Sequence, residues 1–233
     1  MAAPSEIDQL LVWLQEVPLF ADLDEALCAE ICAGAQRRRY PQGSTLIAQE
    51  SEAIEAFLIL SGSASILRAA DRPSSRTMRL AQPGDLLGEM GLICLQKRSA
   101  TVLAHEDCEV LVITQAAFHR LLRQHPDFAL GVMAGLCRRI IDGNRAWELA
   151  RAYGTDARIA SVLLDLFDRF PVSEGDRHFI GVRLTHADLA AMLSVARENV
   201  TKSLARFRRS GAINATRGRI EMVDPEALRS WIC

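Results

Sequence analysis

The apolar residues of this chain change period near residue 38 and again near residue 115, and those changes limit the folds open to it. Between Arg38 and Ile113 they come as short runs, at 45–48, 56–60, 64–67, 77–80, 100–104 and 109–113. Turn residues separate the runs: Tyr40-Pro41-Gln42-Gly43, Ser61-Gly62, Asp71-Arg72-Pro73 and Gln82-Pro83-Gly84-Asp85. Many short strands at regular spacing predict an antiparallel β-roll or sandwich. Residues 6–35, before it, read as two short amphipathic helices on either side of Pro18-Leu19-Phe20, with Asp22 or Asp24 placed to cap the second. Helical periodicity returns at Gln115.

A long helix is predicted from Pro126 to about Ala152, with Met133, Ile140 and Trp147 repeating at seven residues. Such a repeat suits packing along a partner helix, so residues 126–153 are expected to dimerise two copies of the chain. Tyr153-Gly154-Thr155-Asp156 breaks the helix, Gly154 being suited to a C-cap and Thr155 or Asp156 to starting the next helix. Residues 156–170 carry Ile159, Val162, Leu163, Leu166, Phe167 and Phe170 on one face, and 171–176 read as a loop. Thr185 is placed to cap a helix over 187–193, Ser194 ends it, and a second helix runs from Arg197 to about 210, closed by Gly211. Residues 213–215 and 219–223 form a hairpin through Thr216-Arg217-Gly218. Helix, helix, turn, helix and hairpin make a winged helix-turn-helix. The expected class is therefore α+β: an N-terminal antiparallel β-roll with flanking helices over 1–125, a dimerisation helix and hinge over 126–153, and a winged helix-turn-helix over 154–233.

The 233 residues, 49% of them hydrophobic, supply enough core for two modest domains. Net charge is −2, so no global basic field points to nucleic acid, but the charge is uneven. Arg197, Lys202, Arg206, Arg208, Arg209, Arg217 and Arg219 fall in one segment against a single acid, Glu198. A local basic stripe is enough to hold phosphates. No run of about 18 apolar residues is present to span a membrane. Residues 1–8 lack the basic start and apolar core of a signal peptide, and a cytoplasmic location with reduced thiols is expected. The six cysteines contain no C-x-x-C pair, and no metal site is assigned.

Two stretches carry the chemistry. Gly84-Asp85, Gly88-Glu89-Met90-Gly91 and Arg98-Ser99-Ala100 follow one another after the strand-rich run. A cyclic nucleotide presents an anionic phosphate, a ribose 2′-hydroxyl and a base. Arg98 can grip phosphate oxygens through its fork of donors, Ser99 adds a hydroxyl, and Glu89 can accept from the ribose. Glycine at 88 and 91 lets backbone N–H groups approach the anion. In the second stretch Arg197, Glu198 and Lys202 cluster at the start of a helix, where a reading helix enters the major groove. Arg197 can bond guanine, Glu198 can accept from cytosine, and Lys202 can reach guanine or a phosphate. Thr185, Thr201, Arg206, Arg217 and Arg219 are candidates for phosphates, which position without specifying.

On these motifs the chain resembles the cAMP receptor protein (catabolite activator) and FNR superfamily of transcription regulators. Gly84-Asp85-Leu86-Leu87-Gly88-Glu89-Met90-Gly91-Leu92 with Arg98-Ser99-Ala100 is similar to that family's phosphate-binding cassette. The stretch from Thr185-His186-Ala187-Asp188 to Arg197-Glu198-Asn199-Val200 is similar to its helix-turn-helix. The resemblance implies a bacterial homodimer that binds a palindrome of TGTGA-like half-sites on double-stranded DNA, is gated by a small effector and contacts RNA polymerase. It implies no catalysis. Lys202 stands where the family usually has arginine, and Glu50 where it commonly has a turn glycine. Gly143 and Asn144 fall where the cAMP receptor presents threonine and serine to adenine. The first expected effector is cAMP, with cGMP and cyclic di-GMP as alternatives. A constitutive regulator with an unused pocket, or one under redox or haem control, is the competing reading.

Overall fold

The computed structural model describes residues 6–21, 23–69, 76–216 and 219–232. They divide into two compact units, one running to Asp142 and the other from Gly143, with Ala69 and residues 76–79 grouped with the second.

In the first unit, helices α1 (Glu6–Glu16) and α2 (Glu25–Gly34) precede strands β1 (Gln36–Tyr40), β2 (Thr45–Ile47), β3 (Glu55–Ser61), β4 (Ala64–Ala69), β5 (Arg76–Ala81) and β6 (Leu86–Leu87). Then come α3 (Glu89–Cys94), β7 (Thr101–Ala104), β8 (Cys108–Thr114), α4 (Gln115–Gln124) and α5 (Pro126–Ala152), whose residues from Gly143 on belong to the second unit. Asp24 caps α2 by accepting from Leu27 N at 2.7 Å, while Asp22, the other candidate, lies outside the described residues. Two antiparallel sheets result, in the orders β1-β8-β3-β6 and β2-β7-β4-β5.

Strands β3 and β8 pair with Phe57 opposite Val112 and Leu58 opposite Leu111. Their alternate residues serve two cores. Phe57, Ile59, Val110 and Val112 pack with Leu46, Ile47 and Val102 of the other sheet. Ala56, Leu58, Leu111 and Ile113 pack against Leu14, Leu27, Phe118 and Phe128 from the helices and Phe20 from the turn between α1 and α2. Burial on both faces explains why these strands read as unbroken apolar runs instead of alternating ones. Strand β1, Gln-Arg-Arg-Arg-Tyr, was not expected. It sits at a sheet edge, and its charge is met by Glu55, which takes two bonds from Arg38 at 2.8 and 2.6 Å, and by Glu109, near Arg37 and Arg39.

The second unit contains α6 (Thr155–Arg169), β9 (Pro171–Glu174), β10 (Arg177–Ile180), α7 (His186–Leu193), α8 (Arg197–Arg209), β11 (Ile213–Thr216), β12 (Arg219–Met222) and α9 (Pro225–Arg229). The expected loop at 171–176 is instead the start of a hairpin, and the hairpin extends the wing to four strands in the order β11-β12-β10-β9. Its pairing is held by backbone and by Arg177–Glu221 and Arg219–Glu174 contacts, with every residue of β9 exposed. Gly154 does not form a left-handed C-cap. Its φ of −68° and ψ of 171° make it the extended N-cap of α6. Ile159, Leu163 and Leu166 of α6 are buried, and Val162, Phe167 and Phe170 are half-buried. Phe207 on α8 is fully buried and meets Trp231 edge-on at 5.1 Å.

Candidate functional site

The first site is a cavity of about 80 Å3 whose lining includes Gly88, Glu89, Met90, Arg98, Ser99 and Arg139. Gly88 begins α3 with φ at 81°, a conformation that favours glycine. A Cβ there would fall 2.4 Å from Arg98 Nη1 and 3.2 Å from Ile47 Cδ1. The same constraint acts at Gly91, where a Cβ would stand 2.6 Å from that of Ala53. The two glycines therefore let the cassette close around the arginine.

Arg98 is buried at 5% exposure. Its Nη1 donates to Gly88 O at 2.8 Å and its Nη2 to Glu55 O at 2.6 Å, which leaves other guanidinium N–H donors for an anion. Burial pulls its pKa below the ordinary arginine value, against the opposing pull of Glu55 and Glu89. An anion entering the cavity would favour the charged guanidinium that burial disfavours. The loop is anchored by reciprocal backbone bonds, Glu50 N to Arg98 O at 2.9 Å and Arg98 N to Ser51 O at 3.0 Å. Glu50 adopts the left-handed φ of 65° to make its bond, in the place of the family's turn glycine.

Glu89 is 2% exposed, and a buried carboxylate requires a partner. The partner is Arg139 of α5, whose Nη1 reaches Glu89 Oε1 at 2.5 Å while its Nη2 donates to Leu86 O. Sequence reasoning missed Arg139. Gly143 and Asn144, one turn further along α5, are exposed and do not line the cavity.

The second site is the exposed face of α8. Thr185 caps α7 in a full capping box: its hydroxyl accepts from Asp188 N at 3.1 Å, and its own N–H donates to Asp188 Oδ2 at 2.7 Å. Ser194, with φ at 54°, closes α7, and α8 starts at Arg197. Val200, Ser203, Leu204 and Phe207 face inward. This burial leaves Arg197, Glu198, Thr201 and Lys202 outward. The side chains of Arg197, Glu198 and Lys202 form no hydrogen bond or ion pair among the described residues. The phosphate candidates differ from them. Arg206 is bonded to Asp156, which also accepts from Ser203 at 2.5 Å. Arg219 bonds Glu174 at 2.5 Å and stacks on Phe179 at 4.0 Å. Thr201 bonds His186, and Arg217 lies outside the described residues.

Residues 37–125 match the cyclic nucleotide-binding domain family, and residues 157–231 match the Crp-like helix-turn-helix domain family. The chain is 30% identical over 195 residues to the cyclic AMP receptor protein of Thermus thermophilus, covering 83% of this chain and 86% of that one. Its fold is similar to a solved CRP/FNR-family transcriptional regulator from Thermus thermophilus (TM-score 0.69, 23% identity, 84% and 98% of the chains). It is also similar to the c-di-GMP responsive global regulator CLP of Xanthomonas campestris (TM-score 0.73, 21% identity, 85% and 99%). The two matched domains together define a DNA-binding transcription regulator that carries a cyclic nucleotide-binding domain. The chain belongs to the CRP/FNR superfamily, whose members matched here are regulators of transcription and not enzymes.

Proposed function

We propose that the protein is a homodimeric regulator whose DNA binding is gated by a cyclic nucleotide, cAMP first, acting at a palindrome of TGTGA-like half-sites. The observation that carries this reading is the double duty of α5. Its Arg139 holds the pocket carboxylate Glu89. The same helix exposes Leu130, Met133, Ile140 and Trp147, each more than half exposed, at coiled-coil spacing. A ligand that competes for Glu89 thus acts on the element that would pair two protomers.

Arg98 and Ser99 take the phosphate in this reading, and Glu89 the ribose. Arg197, Glu198 and Lys202 read base edges, while Thr185, Thr201, Arg206, Arg217 and Arg219 stand near phosphates. Gating requires the ligand to prefer the DNA-competent state. The second reading, constitutive binding, is favoured by one observation: two of Arg98's donors already serve backbone carbonyls.

Fluorescence anisotropy on a TGTGA palindrome at one fixed salt, with no ligand, cAMP, cGMP or cyclic di-GMP, separates the readings. Selective tightening by one nucleotide, lost in Arg98→Leu, supports gating. Tight binding indifferent to all of them supports the constitutive regulator.

A further inference from the structure

We propose that His119 is a positioning residue for the ribose end of the pocket: through one hydrogen bond it sets where α3 presents Glu89. This rests on the reading of the cavity as a cyclic-nucleotide site, and adds to it a residue outside the lining. Helix α3 is six residues long and ends on Leu95 in the left-handed conformation, with φ at 53°. The last carbonyls of a helix have no partner within it. Leu95 N and Gln96 N both donate to Gly91 O. Gln96 N is the donor that would reach Leu92 O if the helix continued, so that oxygen loses its regular partner. Leu92 is fully buried, and water does not replace the missing donor.

His119 Nε2 lies 2.9 Å from Leu92 O. A carbonyl oxygen only accepts, so Nε2 carries the proton and the ring donates. A buried carbonyl stripped of this bond would bear its full desolvation cost, which holds α3 to the ring. The ring is half-buried on α4 next to Phe118, and Phe118 shares a core with Leu92.

Helix α3 is therefore gripped at two points. Arg139 of α5 bonds its first residue through the Glu89 carboxylate, and His119 of α4 bonds its fourth through the main chain. The two grips respond differently to a nucleotide. A ribose hydroxyl seeks the same carboxylate as Arg139 and competes with it. His119 touches no lining atom that the ligand needs, so its bond persists when the pocket fills. One helical turn separates Leu92 from Glu89, and a hydrogen-bonded turn moves as a unit. His119 is thus the fixed end from which the Glu89 carboxylate is aimed.

The test is equilibrium titration of the full chain with cAMP and cGMP, then with the 2′-deoxy form of the tighter of the two. The wild type should prefer the ribose form by about tenfold, in line with a hydrogen bond to a charged group. His119→Leu should lose most of that preference while binding the 2′-deoxy form within about threefold of wild type, because only Glu89 is misplaced. His119→Gln sets an amide nitrogen where Nε2 stood and should restore the preference. His119→Asn, whose nitrogen falls at the place of Nδ1, should not. A leucine variant that keeps the preference, or that weakens both forms equally as general damage to the unit would, overturns the proposal. Equal preference in the glutamine and asparagine variants overturns it as well, and decides the matter if the leucine variant does not fold. A wild type that binds neither cAMP nor cGMP would instead remove the mononucleotide reading of the pocket, and this inference with it.

Discussion

Arg98 and Arg139 in the pocket are bonded and largely enclosed, whereas Arg197 and Lys202 on α8 are exposed and unbonded among the described residues. All four are cations suited to phosphate or base, yet the fold treats them in opposite ways. A pocket for one small anion gains from donors held in place before the ligand arrives, because ordering them later would cost affinity. A reading face gains from long solvated side chains that settle onto base edges by changing rotamer. The pocket arginines are therefore expected to contribute to the stability of their unit, and Arg197 and Lys202, in the proposed reading role, are not.

Removing Arg139 gives the largest expected effect. Glu89 would be left buried without its cation, and breaking such a pair costs about 3 kcal/mol. Urea unfolding of Arg139→Ala should show that loss, and a Glu89→Gln, Arg139→Ala double variant should recover part of it. A loss under about 1 kcal/mol, the range of surface pairs, would place Arg139 with the solvated cations and erase the contrast.

The two sites also differ in how far the sequence exposes them. The cassette glycines, Glu89, Arg98 and Ser99 are consecutive enough to be recognised as a motif, and the structure brings them to one cavity. Arg139 could not be singled out, because α5 also carries Arg138, Arg145 and Arg151 and only packing decides which reaches Glu89. The strands follow the same logic. Phe57–Ile59 and Val110–Ile113 are legible because burial on two faces demands apolar residues. Strand β1 was not, since its arginines are matched by glutamates far along the chain. Strand β9 has no buried residue, so no alternation marks it.

Glu198→Ala tests the other half of the contrast and should leave unfolding free energy unchanged within about 0.5 kcal/mol. Its effect should appear on DNA, as about 1–3 kcal/mol of lost discrimination at one base pair. The dependence on salt should stay as in the wild type, because Glu198 neutralises no phosphate. An equal loss across all operator variants would show that Glu198 reads no base.

The smallest effect belongs to the wing, where cations are exposed and yet paired, between the two extremes. Arg177 donates to Glu221 at 2.6 and 2.7 Å, and Asn214 adds a third bond at 3.2 Å. These bonds hold the Glu221 carboxyl down at about 2, from an ordinary 4.5, with the Arg177 hydrogen bond as the main cause. A depressed carboxylate stabilises the fold fully above its unfolded pKa and loses that contribution as pH falls toward its folded one. The difference in melting temperature between wild type and Glu221→Gln should therefore be present at neutral pH and shrink as pH falls from about 4.5 to about 2. Added salt should shrink it at neutral pH as well, since the Arg177 side of the pair is open to solvent. A difference that survives both acid and salt would mean that Glu221 acts through packing and not through its charge.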